Sequence, residues 1–132
     1  MTENEISYKI RGAIFKVYNN LGPGLPESVY EAALKYELLK EGMLVESQVD
    51  VPVYYESIRL ELGFRLDLLV NDKVIVEIKS VEKLQPLFHK QLLTYLKLTD
   101  KRLGLLVNFN TDTISSSIFR IANKLYSHED IG

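Results

Sequence analysis

Apolar residues open the chain at helical spacing: Ile6, Ile10, Ala13, Ile14, Val17 and Leu21 recur every three or four positions, which predicts one buried helix face. Gly22-Pro23-Gly24 ends that helix. A second helix opens at Pro26, whose fixed φ suits a first turn, and carries Val29, Ala32, Ala33, Tyr36 and Leu39 inward as far as Gly42. From Leu44 the period becomes two. Val45, Ser47, Val49, Val51, Val53 and Tyr55 alternate with Glu46, Gln48 and Asp50, a half-buried strand in which Pro52 marks an edge or a bulge. After a turn at 56–58, Leu60, Leu62, Phe64, Leu66, Leu68 and Val70 share one face of a long strand, and the apolar stretch 74–80 completes an antiparallel meander. A third helix starts near Pro86 and gathers Leu84, Leu87, Phe88, Gln91, Leu92, Tyr95 and Leu98 on one side. Residues 103–109 read as a buried strand. Residues 111–113 can cap a last helix with Ile114, Ile118, Ile121, Ala122 and Leu125 inside, and the polar end beyond Tyr126 reads as frayed. The predicted order is α, α, β, β, β, α, β, α, without repeat or linker.

Charged residues interrupt this pattern where they are least expected. Asp67 and, ten positions on, Glu77-Ile78-Lys79 lie in the two most apolar strand segments. A carboxylate in a buried strand is costly without a cation, and a divalent metal is one such cation. The register decides whether the two acids meet. A two-residue loop at Asn71-Asp72 sets Asp67 opposite Val76 and Leu66 opposite Glu77, mixing polar with apolar. A three-residue loop at Asn71-Asp72-Lys73 gives Val70/Val74, Leu69/Ile75, Leu68/Val76, Asp67/Glu77 and Leu66/Ile78 instead. Like then meets like, and since a one-residue slip flips every side chain, the three-residue loop is the expectation. It sets the carboxylates' Cβ atoms roughly 5 Å apart, with Lys79 one step along the same face.

Composition narrows the chemistry. At 132 residues, with 46% hydrophobic and 26% charged positions, the chain suits one globular domain, 1–132. It contains no cysteine, so a metal would rely on carboxylates, carbonyls or the two histidines, which points to Mg²⁺ or Mn²⁺ rather than structural zinc. No apolar run approaches the roughly 20 residues of a membrane span, and a cytoplasmic setting is the default. A net charge of -2 lacks the strongly basic balance of proteins that hold DNA by bulk electrostatics, so any nucleic-acid contact is expected to be local.

The string Gly24-Leu25-Pro26-Glu27-Ser28-Val29-Tyr30 fits a Gly-x-x-Glu-x-x-Tyr signature and resembles the GxxExxY proteins of the PD-(D/E)XK nuclease superfamily. The resemblance runs from Leu21 through Asn108. It implies an α/β, restriction-endonuclease-like core: a three-stranded antiparallel meander plus a further strand after a crossover helix, flanked by helices. It also implies a metal-dependent nuclease acting on DNA or RNA. The acidic motif maps onto Asp67 and Glu77-Ile78-Lys79, with Leu66 where the superfamily name has proline. A Gln-x-x-x-Tyr motif maps onto Gln91 and Tyr95. The helix glutamate maps onto Glu27, with Glu31 the runner-up. In this scheme Asp67, Glu77 and the Ile78 carbonyl hold Mg²⁺ or Mn²⁺, and Lys79 orients the attacking water. Glu27 holds a second metal or a metal-bound water, while Gln91 and Tyr95 position Lys79 or a phosphate.

Blander roles compete with each assignment. Asp67 with Lys79 can be an ion pair at a strand end, Glu27 can serve the helix dipole, Gln91 a backbone group and Tyr95 the core. His89 is read as a helix residue outside the site. Lys83, Lys90, Lys97, Lys101 and Arg102 are either phosphate contacts or a solvated surface. The competing functions are a catalytically inactive nuclease-fold binding or assembly module and a hydrolase of a small nucleotide-like substrate. Partners are expected to be nucleic acid, with a homodimer or a protein partner as further possibilities.

Overall fold

In the computed structural model, residues 1–125 are described. Helix α1 (Glu3–Leu21) starts at a capping box, in which the Thr2 hydroxyl accepts the Glu5 N–H and the Glu5 carboxylate accepts the Thr2 N–H. Ile6, Ile10, Ala13, Ile14 and Val17 are buried as expected, whereas Leu21 is exposed.

Helix α2 (Glu27–Lys40) buries a different face from the expected one. Tyr30, Leu34 and Leu38 point inward, and Val29, Tyr36 and Leu39 are exposed. Apolar residues occur all round this helix, so spacing alone does not choose a face; Tyr30 does. Its ring stacks on Phe109 at 4.3 Å and 4°. Its hydroxyl donates to the Gly22 carbonyl at 2.5 Å and accepts the Leu25 N–H at 3.1 Å. Tyr30→Phe keeps the stack and strips both hydrogen bonds. Urea denaturation of that variant is expected to show a loss of about 1–3 kcal/mol, and an unchanged midpoint would show that the hydroxyl does not anchor the turn.

Strands β1 (Val45–Val51), β4 (Phe64–Val70), β5 (Val74–Lys79), β6 (Leu103–Asn108) and β7 (Ile118–Ala122) form one sheet in the order β1-β4-β5-β6-β7, with β2 (Tyr54–Tyr55) and β3 (Ile58–Arg59) in a separate hairpin. Only β5 and β6 are parallel, and helix α3 (Pro86–Thr99) crosses between them. Helices α1 and α2 pack on one face against Leu68, Val70, Val76, Ile78 and Leu105. On the other face Leu92 and Leu96 of α3 pack against Leu66, Leu69, Ile75 and Leu106.

Three expectations need correction. The last helix is absent from the described residues: Ile114–Ser116 form a single 3₁₀ turn, and Ile118–Ala122 pair antiparallel with β6. The sequence Ile118-Phe119-Arg120-Ile121 has strand-forming side chains, and pairing it covers an edge of β6 that would otherwise stand open. The frayed end beyond Tyr126 lies outside the described residues. The long strand from Leu60 is also interrupted. Glu56 and Ser57 form a two-residue left-handed turn between β2 and β3, and Leu60 and Leu62 are exposed. In α3 the inner stripe is Phe88, Leu92, Tyr95 and Leu96, while Leu87, Gln91 and Leu98 face out.

The strands nearest the acidic residues do not keep one face throughout. Val45, Leu68 and Val70 pack with α1 and α2, whereas Val49, Val51, Phe64 and Leu66 pack on the α3 side. The turnover falls between the regular pairs Ser47↔Leu68 and Val49↔Leu66, where Gln48 stands opposite Asp67 and has φ 51°. Simple alternation along 45–55 and 60–70 therefore assigns half of each strand to the wrong side.

Candidate active site

The three-residue loop register is present: Val70↔Val74, Leu69↔Ile75 and Leu68↔Val76 are paired. Beyond Leu68↔Val76 the ladder opens, and side chains replace backbone as partners. Asp67 Oδ2 accepts the Ile78 N–H at 2.8 Å, and Glu77 Oε1 accepts the Asp67 N–H at 3.3 Å. The two carboxylates meet across this opening. Asp67 is half-buried, and Glu77 is 5% exposed.

Burial pushes the Glu77 carboxyl up to about 9, helped by the Asp67 charge and a hydrogen bond shared with its side chain; the Asp67 N–H and Lys79 pull the other way. The metal-free pair thus holds a proton at neutral pH. Lys79 does not neutralise it by contact. Its ammonium lies 4.4 Å from the Phe88 ring centroid, on the α3 side, and it joins no ion pair among the described residues.

The opposite wall comes from α2. A cleft of about 350 Å³ is lined by Glu27, Ser28, Glu31, Gln48, Asp67 and Ile78. Both helix glutamates reach it, but they are held differently. Glu27, in the first helical turn, accepts the Ser80 N–H at 3.0 Å, and Ser80 Oγ in turn donates to the Leu25 carbonyl at 2.7 Å. The signature segment is therefore stapled to the end of β5 at Glu27 and closed on itself at Tyr30. Glu31 accepts Gln48 Nε2 at 2.7 Å, and burial together with the Asp67 charge raises its carboxyl, opposed by Gln48 and Lys35. Glu31 thus feels the Asp67 charge across the cleft.

From α3, Tyr95 stacks on Phe64 at 4.2 Å, and burial and the Glu77 and Asp67 charges raise its phenol. Gln91 is exposed on α3, one turn from Phe88 and from Tyr95. His89 packs edge-on against Phe119, 4.8 Å between rings. Lys101 pairs with Asp72 at 3.1 Å, away from the cleft, while Lys83 and Lys90 are exposed.

Sequence reading missed three groups. Alternation puts Gln48 on a polar face, and it is exposed as expected, but nothing in the spacing points to its hydrogen bond with Glu31. Ser80 was read only as a strand end. Asn108 stands in an otherwise apolar run, the one signal available for it. Its amide exchanges two hydrogen bonds with the Val81 backbone, at 2.9 and 3.0 Å, and Phe109 N–H donates to the Lys79 carbonyl at 2.9 Å. These bonds clamp the segment that carries Glu77 and Lys79.

The donor set available to a metal is all oxygen: Asp67, Glu77 and the Ile78 carbonyl. Among the described residues no three His, Cys, Asp or Glu side chains converge in a metal-holding group. Two carboxylates and a carbonyl nevertheless suit Mg²⁺, which keeps several waters, and an acidic pair with one buried and one half-buried member and no ion pair among the described residues suits a divalent ion. Among the described residues no helix is long and apolar enough to cross a membrane.

A family model described as the PD-(D/E)XK nuclease superfamily matches residues 4–121. The crystal structure of SSO0001 superposes with a TM-score of 0.55 at 24% sequence identity, covering 76% of this chain and 52% of that one, a likeness of fold. This chain spans about half the length of that structure. No curated protein matches it.

Proposed function

Because the chain belongs to the PD-(D/E)XK nuclease superfamily, we propose that it is a Mg²⁺- or Mn²⁺-dependent nuclease that hydrolyses phosphodiester bonds of DNA or RNA in the cytoplasm. Nucleases of this superfamily generally use divalent metals. Within it we assign the chain to the GxxExxY proteins on Gly24, Glu27 and Tyr30. The observation that carries the reading is the Asp67/Glu77 pair, two acids meeting where the ladder opens, with no ion pair to either among the described residues.

A bound Mg²⁺ or Mn²⁺ would neutralise charge on the scissile phosphate and activate a water. Asp67, Glu77 and the Ile78 carbonyl would hold it. Lys79 has a flexible stem and rests on a ring rather than on an acid, so it is free to swing toward a phosphate or an attacking water. Tyr95, with its phenol raised, stays protonated across the working range and serves as a hydrogen-bond donor beside Glu77. Glu27 fixes the strand end that bears Lys79 through Ser80 and leaves its second oxygen for a metal-bound water. Gln91, being exposed, is suited to substrate phosphate rather than to Lys79.

The test is calorimetric titration of Mg²⁺ and Mn²⁺ into the wild type and Asp67→Ala, followed by incubation with single- and double-stranded DNA and RNA. Metal binding and cleavage by the wild type, both lost in Asp67→Ala, are expected. No metal binding under any condition would overturn the site. Metal binding without cleavage would favour the binding-module alternative, which the net charge of -2 suits better.

A further inference from the structure

Among the described residues seven non-glycine residues have positive φ, and of these Gln48 is the one that sits inside a strand. Glu56, Ser57, Asn71 and Asp72 are in turns between strands, Asp100 ends α3, and Lys124 follows β7. A left-handed residue in a strand interior costs about 1–3 kcal/mol and persists only where its surroundings enforce it. At Gln48 two independent features meet. It stands opposite Asp67 at the level where β1 and β4 both turn over. Its amide also crosses to α2 and donates to Glu31 at 2.7 Å.

Each feature has a consequence for Asp67. Regular alternation through this level would keep Asp67 in the ladder, facing the α3 side like Leu69. With both strands turned over, Asp67 lines the cleft under α2 and its carboxylate reaches the Ile78 N–H. The Gln48 side chain is also the neutral donor set beside two acids, Glu31 and Asp67. An acidic side chain at this position would add a third negative charge to the cleft; an apolar one would leave the Glu31 carboxylate without its donor.

We propose that Gln48 is a positioning residue of the active site: its left-handed backbone delivers Asp67 to the cleft, and its amide holds Glu31 at the opposite wall. The inference rests on the nuclease reading above and extends it to a side chain that touches neither metal nor substrate.

Glycine accepts positive φ without strain, so Gln48→Gly separates the backbone from the amide. Its thermal midpoint is expected to equal or exceed that of the wild type. Its affinity for Mn²⁺ by calorimetry is expected to fall about tenfold, the order of effect seen when a group that orients metal ligands is removed. Cleavage should need correspondingly more Mn²⁺ for half-maximal rate, with KM for nucleic acid at saturating metal unchanged. Gln48→Asn tolerates the same φ but is one methylene too short for Glu31, so it should match the glycine variant. Glu31→Ala combined with Gln48→Gly should lose no more affinity than Gln48→Gly alone, as expected of partners in one hydrogen bond. Wild-type Mn²⁺ affinity in both single variants would overturn this inference alone. Absence of Mn²⁺ binding by the wild type would overturn it together with the nuclease reading.

Discussion

Glu77→Gln is expected to stabilise the metal-free protein at pH 8 while cutting its nuclease activity roughly 10²–10³-fold. The stability gain follows from the sign of the shift. An ordinary glutamate titrates near 4.5, and burial and the Asp67 charge push Glu77 up to about 9 in the folded chain. Between those values the folded state retains a proton that the unfolded state has released. Stability is therefore undiminished below about pH 4.5 and falls as pH rises toward 9, by up to about 1.4 kcal/mol per pH unit from this group. Glutamine carries no charge to desolvate, can still accept the Asp67 N–H, and can donate to the Asp67 carboxylate. The advantage of the variant should be small at pH 5 and grow to pH 9 in melts with chelator present. A constant difference across that range would show that Glu77 does not titrate as described. Added Mn²⁺ should reverse the ranking, raising the wild-type midpoint and leaving the variant where it was, because only the wild type can exchange the proton for a metal.

That opposition of stability and function explains how the site could be found in the sequence. An acid in a buried strand violates the binary pattern, and the violation is visible in the letters alone. The register was legible for the same reason: only one loop length set apolar residues against apolar ones. What could not be read was the geometry at the break. Leu66 and Leu68 have the same parity and pack on opposite faces, because Gln48 and Asp67 turn both strands over together. No two-residue period encodes that, and glutamine is not a residue whose presence announces a positive φ. The face of α2 was hidden differently. Val29, Ala32, Tyr36 and Leu39 are as apolar as Tyr30, Leu34 and Leu38, and the choice is made by a ring stack on Phe109, nearly 80 positions away. Likewise, the 114–125 segment carries isoleucines at helical intervals, yet becomes a turn and a strand because the edge of β6 was available for pairing.

The seat of α3 gives the second large effect. Gly104 lies in β6 directly beneath Leu92, and a Cβ there would come within 2.9 Å of Leu92 Cδ1 and 3.0 Å of its Cγ and Cδ2. Leu92 is fully buried, so its whole branched head, rather than one free methyl, would have to move. Gly104→Val should cost about 1–3 kcal/mol through overpacking, despite valine's preference for strands. Because Leu92 projects from α3, one outlet for the strain is to lift that helix from the sheet. That motion carries Phe88 from beneath Lys79 and Tyr95 from Phe64, so the folded fraction should also lose cleavage activity. A double-mutant cycle identifies the cause. Leu92→Ala alone leaves a cavity and should cost about 2–5 kcal/mol, but in the Gly104→Val background the new methyl groups fill that space. The two changes together should cost less than their sum by roughly 1 kcal/mol or more, measured as urea midpoints. Strict additivity would mean that Gly104 is small for some reason other than the approach of α3.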